Sequence, residues 1–239
     1  MSLTPEQLAA AIDHTLLKAE ATGEGIDRLC DEAVAYGFAA VCVNPIHVRR
    51  AAERIAAAGR CGGQDHRPAV ASVAGFPLGA SRTETKADEA RRAMDDGATE
   101  IDMVIALGAL IAGDVRAVRS DIAAVARAVH QAYAAGILKV ILETRALTAE
   151  QIILGCRCCA EGEANFVKTS TGFHEAGGAT VDHVRLLHRH ASPLRVKASG
   201  GIRTAQLARE LLLAGAARLG TSSGVAILNE LRHGDAGTP

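Results

Sequence analysis

The chain has 239 residues, 49% of them hydrophobic, 3% aromatic and none tryptophan, with a formal net charge of −1. That length suits a single barrel-sized domain spanning residues 1–239, and a core short of aromatics must be built from Val, Ile, Leu and Ala, as in a parallel sheet covered by helices. Near-neutral charge gives no electrostatic footprint for nucleic acid or an anionic membrane, and no run of 18 uncharged apolar residues predicts a membrane span.

From the N-terminus, Thr4 and Gln7 stand at capping-box spacing around Pro5, which predicts a short helix. No basic segment leads into an apolar run there, so a cytoplasmic protein is expected. Eight β-rich runs then follow: Ile12 to Leu16, Ala39 to Val43, Ala69 to Gly75, Glu100 to Ala106, Leu138 to Glu143, Asn165 to Lys168, Leu194 to Ala198 and Ala217 to Gly220. Helix-like segments separate them, among them Val115 to Ala135, Thr180 to His190 and Thr204 to Ala214, and Gly37, Gly97, Gly136 and Gly215 read as C-caps ahead of the next strand. The expected fold is an α/β (β/α)8 TIM barrel with an additional short N-terminal helix. An open doubly wound sheet is the rival.

Of the 26 basic residues only five are lysines, and Lys139, Lys168 and Lys197 lie in or at the ends of these strand-like runs. An arginine-rich sequence that keeps lysine there needs an amine able to lose its proton, attack a carbonyl and form an imine, which guanidinium cannot do. Alternation places Asp102 with Val104, Lys139 with Ile141 and Glu143, Phe166 with Lys168, and Arg195 with Lys197 and Ser199 on single strand faces. If those faces point inward, one carboxylate and three amines converge at the carboxyl ends of the strands, where barrel chemistry sits. Lys168 and Lys197, on successive strands, are then close enough to depress each other's pKa, while Asp102 can shuttle protons.

The seventh and eighth runs lead into Gly200-Gly201 and Gly220-Thr221-Ser222-Ser223-Gly224, a glycine and hydroxyl pattern suited to holding a phosphate through backbone N–H groups without a cation. No Walker or dinucleotide fingerprint is present. Cys156, Cys158 and Cys159 fall in a helical stretch without a second ligand pair and read as structural thiols. With Cys30, Cys42 and Cys61 they suggest reduced cysteines and no metal site. His188 and His190 read as helix-end residues that complement the dipole.

The segments Ile12 to Lys18, Val41 to Pro45, Gly75 to Gly79, Glu100 to Ile105, Phe166 to Phe173, Val196 to Arg203 and Gly220 to Gly224 together resemble deoxyribose-phosphate aldolase, in order and over nearly the whole chain. The resemblance implies a class I aldolase without metal or organic cofactor that splits 2-deoxy-D-ribose 5-phosphate into acetaldehyde and D-glyceraldehyde 3-phosphate. It places the Schiff-base lysine at Lys168, the second catalytic lysine at Lys197 and the acid/base at Asp102. Asp13, Thr15, Cys42 and Lys139 match substrate-pocket positions, and Gly172, Gly200, Gly201, Ser222 and Ser223 match phosphate-binding ones. Ala19, Ala106, Arg145 and His174-Glu175-Ala176 depart from the family pattern, which bears on rate and loop mobility rather than on reaction class. The expected partner is a small phosphosugar, with a homodimer compatible with the sequence. The alternatives are another imine-forming phosphosugar aldolase or transaldolase and a non-catalytic sugar-phosphate-binding barrel.

Overall fold

The Thr4 hydroxyl accepts the Gln7 N–H and the Gln7 side chain accepts the Thr4 N–H, so the short helix Pro5–Ala9 begins with the expected capping box. The computed structural model describes residues 3–58 and 67–234, and Cys61 lies outside them. Within these residues the apolar runs form parallel strands β1 (Ile12–Leu16), β2 (Ala40–Val43), β3 (Ala69–Ala74), β4 (Glu100–Val104), β5 (Ile137–Ile141), β6 (Phe166–Lys168), β7 (Arg195–Ser199) and β8 (Arg218–Thr221). They pair in sequence order, and β1 pairs with β8 to close a barrel. Closure decides against the open doubly wound sheet, because the His14–Thr221 register leaves no free edge.

The apolar core lies between the barrel and its helices. Outward-facing Ile101, Met103, Leu138, Val140, Val167 and Val196 are buried there against helix residues such as Val118, Ile122, Val125 and Val184. The inward faces carry Asp13, Asp102, Lys139 and Lys197, all fully buried, where barrels of this kind ordinarily stack aliphatic side chains. A polar interior of this kind costs stability unless every charge is paired, so the fold has given up packing energy there for a purpose other than folding.

Gly37 caps the helix Gly23–Tyr36 in the left-handed conformation, as its position predicts. Gly136 does not act as a cap. The helix Val115–Ala132 ends four residues earlier at an extended Tyr133, and Gly136 closes the turn into β5 by donating its N–H to the Tyr133 carbonyl at 2.8 Å. The run from Glu100 stops at Val104, and Ala106 instead opens the short helix Leu107–Ile111. Glu143 is not a strand residue either, since its φ of 59° turns the chain out of β5.

Lysine is also retained at one position that carries no imine chemistry. Lys86, on the helix Thr83–Asp95, is fully buried, and its Nζ donates to Asp121 Oδ2 at 2.7 Å and to the Val104 carbonyl at 3.0 Å. Thr83 Oγ1 donates to the other Asp121 oxygen at 2.9 Å. A compact ammonium on a thin stem suits this slot, because a Cβ on neighbouring Gly75 would lie 2.9 Å from Lys86 Cε. A lysine kept among arginines is therefore not by itself a sign of imine chemistry. Here the charge is structural, and leaving Asp121 unpaired would cost about 3–5 kcal/mol.

Candidate active site

Strand alternation and parallel register bring the inward charges into one network. Asp102 is level with Lys139 across β4 and β5, Lys168 with Lys197 across β6 and β7, and Lys197 with Arg218 across β7 and β8. Lys139 Nζ donates to Asp102 Oδ1 at 2.8 Å, while Lys168 and Lys197 both donate to Asp102 Oδ2 at 2.7 Å. Lys197 also reaches Asp13 Oδ2 at 2.5 Å, and Lys139 pairs with Glu100 Oε2 at 2.5 Å. Arg218 closes the network from β8, donating through Nε to Asp13 Oδ1 at 2.6 Å and through Nη2 to Glu100 Oε2 at 3.1 Å. Three carboxylates, on Asp13, Glu100 and Asp102, thus face four cationic side chains, on Lys139, Lys168, Lys197 and Arg218.

The two neighbouring lysines are driven apart in pKa. Burial pushes Lys168 down; Asp102 opposes this, and the Lys197 cation reinforces it, so the net shift is downward. Asp102 divides its charge among three ammonium groups, of which Lys168 is one. Burial acts the same way on Lys197, but Asp102 and Asp13 together overcome it and hold Lys197 above the usual lysine range. The mutual depression expected from strand adjacency is therefore one-sided, because Lys197 reaches a second carboxylate, Asp13, with which Lys168 does not pair. Burial would raise both acids, yet Lys139, Lys168 and Lys197 keep Asp102 well below the carboxylate range, and Lys197, Arg218 and Lys139 bring Asp13 down to about 2. Burial, then the Asp102 charge, pushes the Cys42 thiol up to about 11, so it stands near the amines as a neutral thiol.

Above the network opens a cavity of about 340 Å³ with Lys168 in its wall. Thr15, Gly172, Gly200, Gly201 and Ser222 line it as well. Asp13, Cys42 and Lys139, expected as pocket residues, do not: Asp13 and Lys139 are buried within the ion-pair network, and Cys42 packs with Leu17, Ala71, Val73 and Phe76. Ser223 also stands outside the lining, just ahead of the helix Gly224–Gly234, where its N–H donates to Thr221 Oγ1 at 2.9 Å and its carbonyl accepts from Ile227.

Gly200 adopts φ 89° and lies so close to the Lys168 loop that a Cβ would fall 2.9 Å from Gly178 Cα and 3.2 Å from Gly172 Cα. Glycine is required there by both conformation and space. Two cations, Lys18 and Arg203, line the same cavity, so a phosphate entering it would not depend on backbone N–H groups alone. Arg145, one of the departures, joins two loops of the mouth through its Nε, which donates to the Ala176 carbonyl at 2.8 Å.

Alternation along the strands already implied two residues that the sequence reading passed over. Glu100 lies two residues before Asp102, and Arg218 two residues before Gly220, each on the inward face. Glu143, which alternation puts on the Lys139 face, leaves the strand through its left-handed backbone. Its buried carboxylate accepts from the Thr171 hydroxyl at 2.6 Å and N–H at 3.2 Å, which fixes Thr171 in the cavity wall. Cys30, Cys42, Cys156, Cys158 and Cys159 are free and buried, and among the described residues no group of three or more His, Cys, Asp or Glu side chains is placed to hold a metal ion. No helix among them is long and apolar enough to cross a membrane.

A desolvated lysine in the mouth of a (β/α)8 barrel, beside a second lysine that stays charged, defines the class of a lysine-dependent aldolase. Residues 7–230 match the DeoC/LacD family aldolases. The deoxyribose-phosphate aldolase of Brevibacillus brevis is 50% identical over 91% of this chain and 93% of its own, and that of Thermococcus gammatolerans 50% over 95% and 98%. Among solved structures, the deoxyribose phosphate aldolase of Aeropyrum pernix, described as a tetramer, superposes with a TM-score of 0.86 at 33% identity, covering 96% of this chain and 92% of that one. The chain belongs to the DeoC/LacD family of aldolases and is a lyase.

Proposed function

We propose that this aldolase cleaves 2-deoxy-D-ribose 5-phosphate reversibly to acetaldehyde and D-glyceraldehyde 3-phosphate through an imine on Lys168. The observation that carries this reading is the placement of Lys168, buried by the strands yet in the cavity wall, with its pKa lowered by that burial and by Lys197. Its neutral amine attacks the C1 aldehyde of the open-chain sugar and forms a carbinolamine. The Lys197 ammonium gives a proton to the departing hydroxyl, water leaves, and the iminium forms 2.7 Å from the ionised Asp102 carboxylate that stabilises it. The Lys197 amine, left neutral by that transfer, takes the C3 hydroxyl proton as the C2–C3 bond breaks. The bond's electron pair passes into the iminium to give an enamine, and glyceraldehyde 3-phosphate departs. Protonation at C2 and hydrolysis then release acetaldehyde and restore the amine. The strongly lowered pKa of Asp102 leaves it ionised, a charge stabiliser and a weak base, so the proton transfers fall to Lys197, which enters the cycle protonated.

Gly172, Gly200, Gly201 and Ser222 hold the phosphate in this reading, with Arg203 and Lys18 adding charge, while Ser223 supports the loop from behind. Thr15 shapes the wall opposite, with its hydroxyl bonded to the Asp13 carbonyl at 2.8 Å. The same reading carries a small phosphosugar as partner and the cytoplasm as its location.

Coupling acetaldehyde release to alcohol dehydrogenase and following NADH loss tests the activity. Ser222→Glu tests the phosphate site, because a new carboxylate there repels the dianion. KM for deoxyribose 5-phosphate is expected to rise at least about tenfold, the effect of roughly 1.4 kcal/mol of repulsion, while slow cleavage of unphosphorylated deoxyribose is nearly unchanged. Equal losses on both substrates would mean that the loop shapes the catalytic centre and does not bind phosphate.

A further inference from the structure

Arg218 touches no part of the cavity, yet it supplies the network with its fourth positive charge. Its guanidinium faces Asp13 on β1, Glu100 and Asp102 on β4, and Lys197 beside it on β7; Lys139 of β5 meets the same Glu100 carboxylate. Lys168, for its part, is faced by Asp102 on β4, Lys197 on β7 and the neutral Cys42 thiol on β2, with Lys18 and Arg203 lining the cavity above. With every group ionised the buried network carries one positive charge more than its carboxylates balance. Uncompensated charge is costly in a desolvated interior, so the network relaxes by shedding one proton. Arg218 cannot give one up. Lys197 is held by Asp102 and Asp13, and Lys139 by Asp102 and Glu100 with Asp13 at 3.8 Å. Lys168 has a share of Asp102 alone.

We propose that Arg218 is a positioning residue which keeps Lys168 neutral and nucleophilic, by saturating Asp13 and Glu100 with a charge that cannot be discharged and so making the proton on Lys168 the surplus one. The proposal deepens the reading of Lys168 as the imine-forming residue and rests on it. Glu100 is the counterweight, since its carboxylate offsets part of the charge that Arg218 brings.

Opposite signs follow for the two partners. Arg218→Gln removes the surplus and leaves three cations for three carboxylates, so Lys168 holds its proton to higher pH. Glu100→Gln enlarges the surplus, so Lys168 loses its proton at lower pH. Purified full-length variants are treated with acetaldehyde and cyanoborohydride, and the rate of imine trapping is followed against pH. Relative to the wild type, the acidic limb is expected to move up by roughly one pH unit in Arg218→Gln and down by a similar amount in Glu100→Gln, the scale set by one charge acting across a low-dielectric interior. Arg218→Lys, which keeps the charge, is expected to leave the limb in place, and the Arg218→Gln/Glu100→Gln double variant to return it toward the wild-type position. A purely structural role would lower rates without moving the limb in opposite directions. If Arg218→Gln fails to fold, the downward shift in Glu100→Gln and the unmoved limb in Arg218→Lys carry the test. Normal labelling of Lys168 with an unmoved limb in the charge-removing variants, or shifts of the same sign in both, overturns this proposal alone. Failure to label Lys168 in the wild type overturns the imine reading and this one with it.

Discussion

Asp102→Asn is expected to lower kcat by about a hundredfold to ten-thousandfold, the range for a group that handles charge and protons in the transition state, and at the same time to move the acidic limb of kcat/KM to lower pH. The two effects have different origins. Asparagine keeps the shape but removes the carboxylate whose oxygens accept from Lys139, Lys168 and Lys197, so the iminium on Lys168 loses its nearest counter-charge. The remaining cations then outnumber Asp13 and Glu100 more heavily, which drives the Lys168 proton off more readily. Breaking the shared pair is also expected to cost about 3–5 kcal/mol of stability, read as a fall in the urea midpoint. A variant that is slow but keeps its limb would mean that Asp102 acts only as a proton carrier.

Lys197→Leu is expected to lose at least about a hundredfold in kcat and to shift the acidic limb to higher pH. The sign follows from the geometry. Burial lowers Lys168, and the Lys197 cation lowers it further, so removing that cation lets the Lys168 pKa rise and demands more alkaline solution for the neutral amine. Asp13 and Asp102, freed of Lys197, strengthen the same shift, since Lys197 stands between the two carboxylates. Lys197→Arg keeps the charge but gives up no proton, so it should hold the limb where it was and remain slow. A limb that stays put in Lys197→Leu would leave Lys197 as a proton donor alone.

The barrel was legible because its strands announce themselves locally: short β-branched runs, spaced by helix-length segments and ended by glycines, fix a parallel α/β order before any contact is known. The shared faces were legible for the same reason, since period-two alternation sets Asp102, Lys139, Lys168 and Lys197 on faces that point inward once the barrel closes. The partners of those charges were not. Asp13 bonds Lys197 from the far end of the chain, and Glu100 meets Arg218 across 118 positions, so their pairing is a product of closure and register. The role of Lys86 is illegible for a related reason, because nothing local to it reveals that Asp121 on another helix will meet its ammonium. Glu143, placed on the Lys139 face by alternation, turns out of the strand instead, and only the folded backbone shows that its side chain anchors Thr171. Asp13 and Lys139 sit below the cavity lining, within the ion-pair network, because carriage on an inward face does not say how deep in the barrel a side chain ends.

The site rests on one claim, that Lys168 alone forms the imine. Treating the wild-type enzyme with acetaldehyde and borohydride, then mapping the modified peptide by mass, tests it directly. The account predicts a single reduced adduct on Lys168, formed equally well in EDTA and absent from Lys168→Arg. An adduct on Lys139 or Lys197, or undiminished labelling in Lys168→Arg, would contradict it.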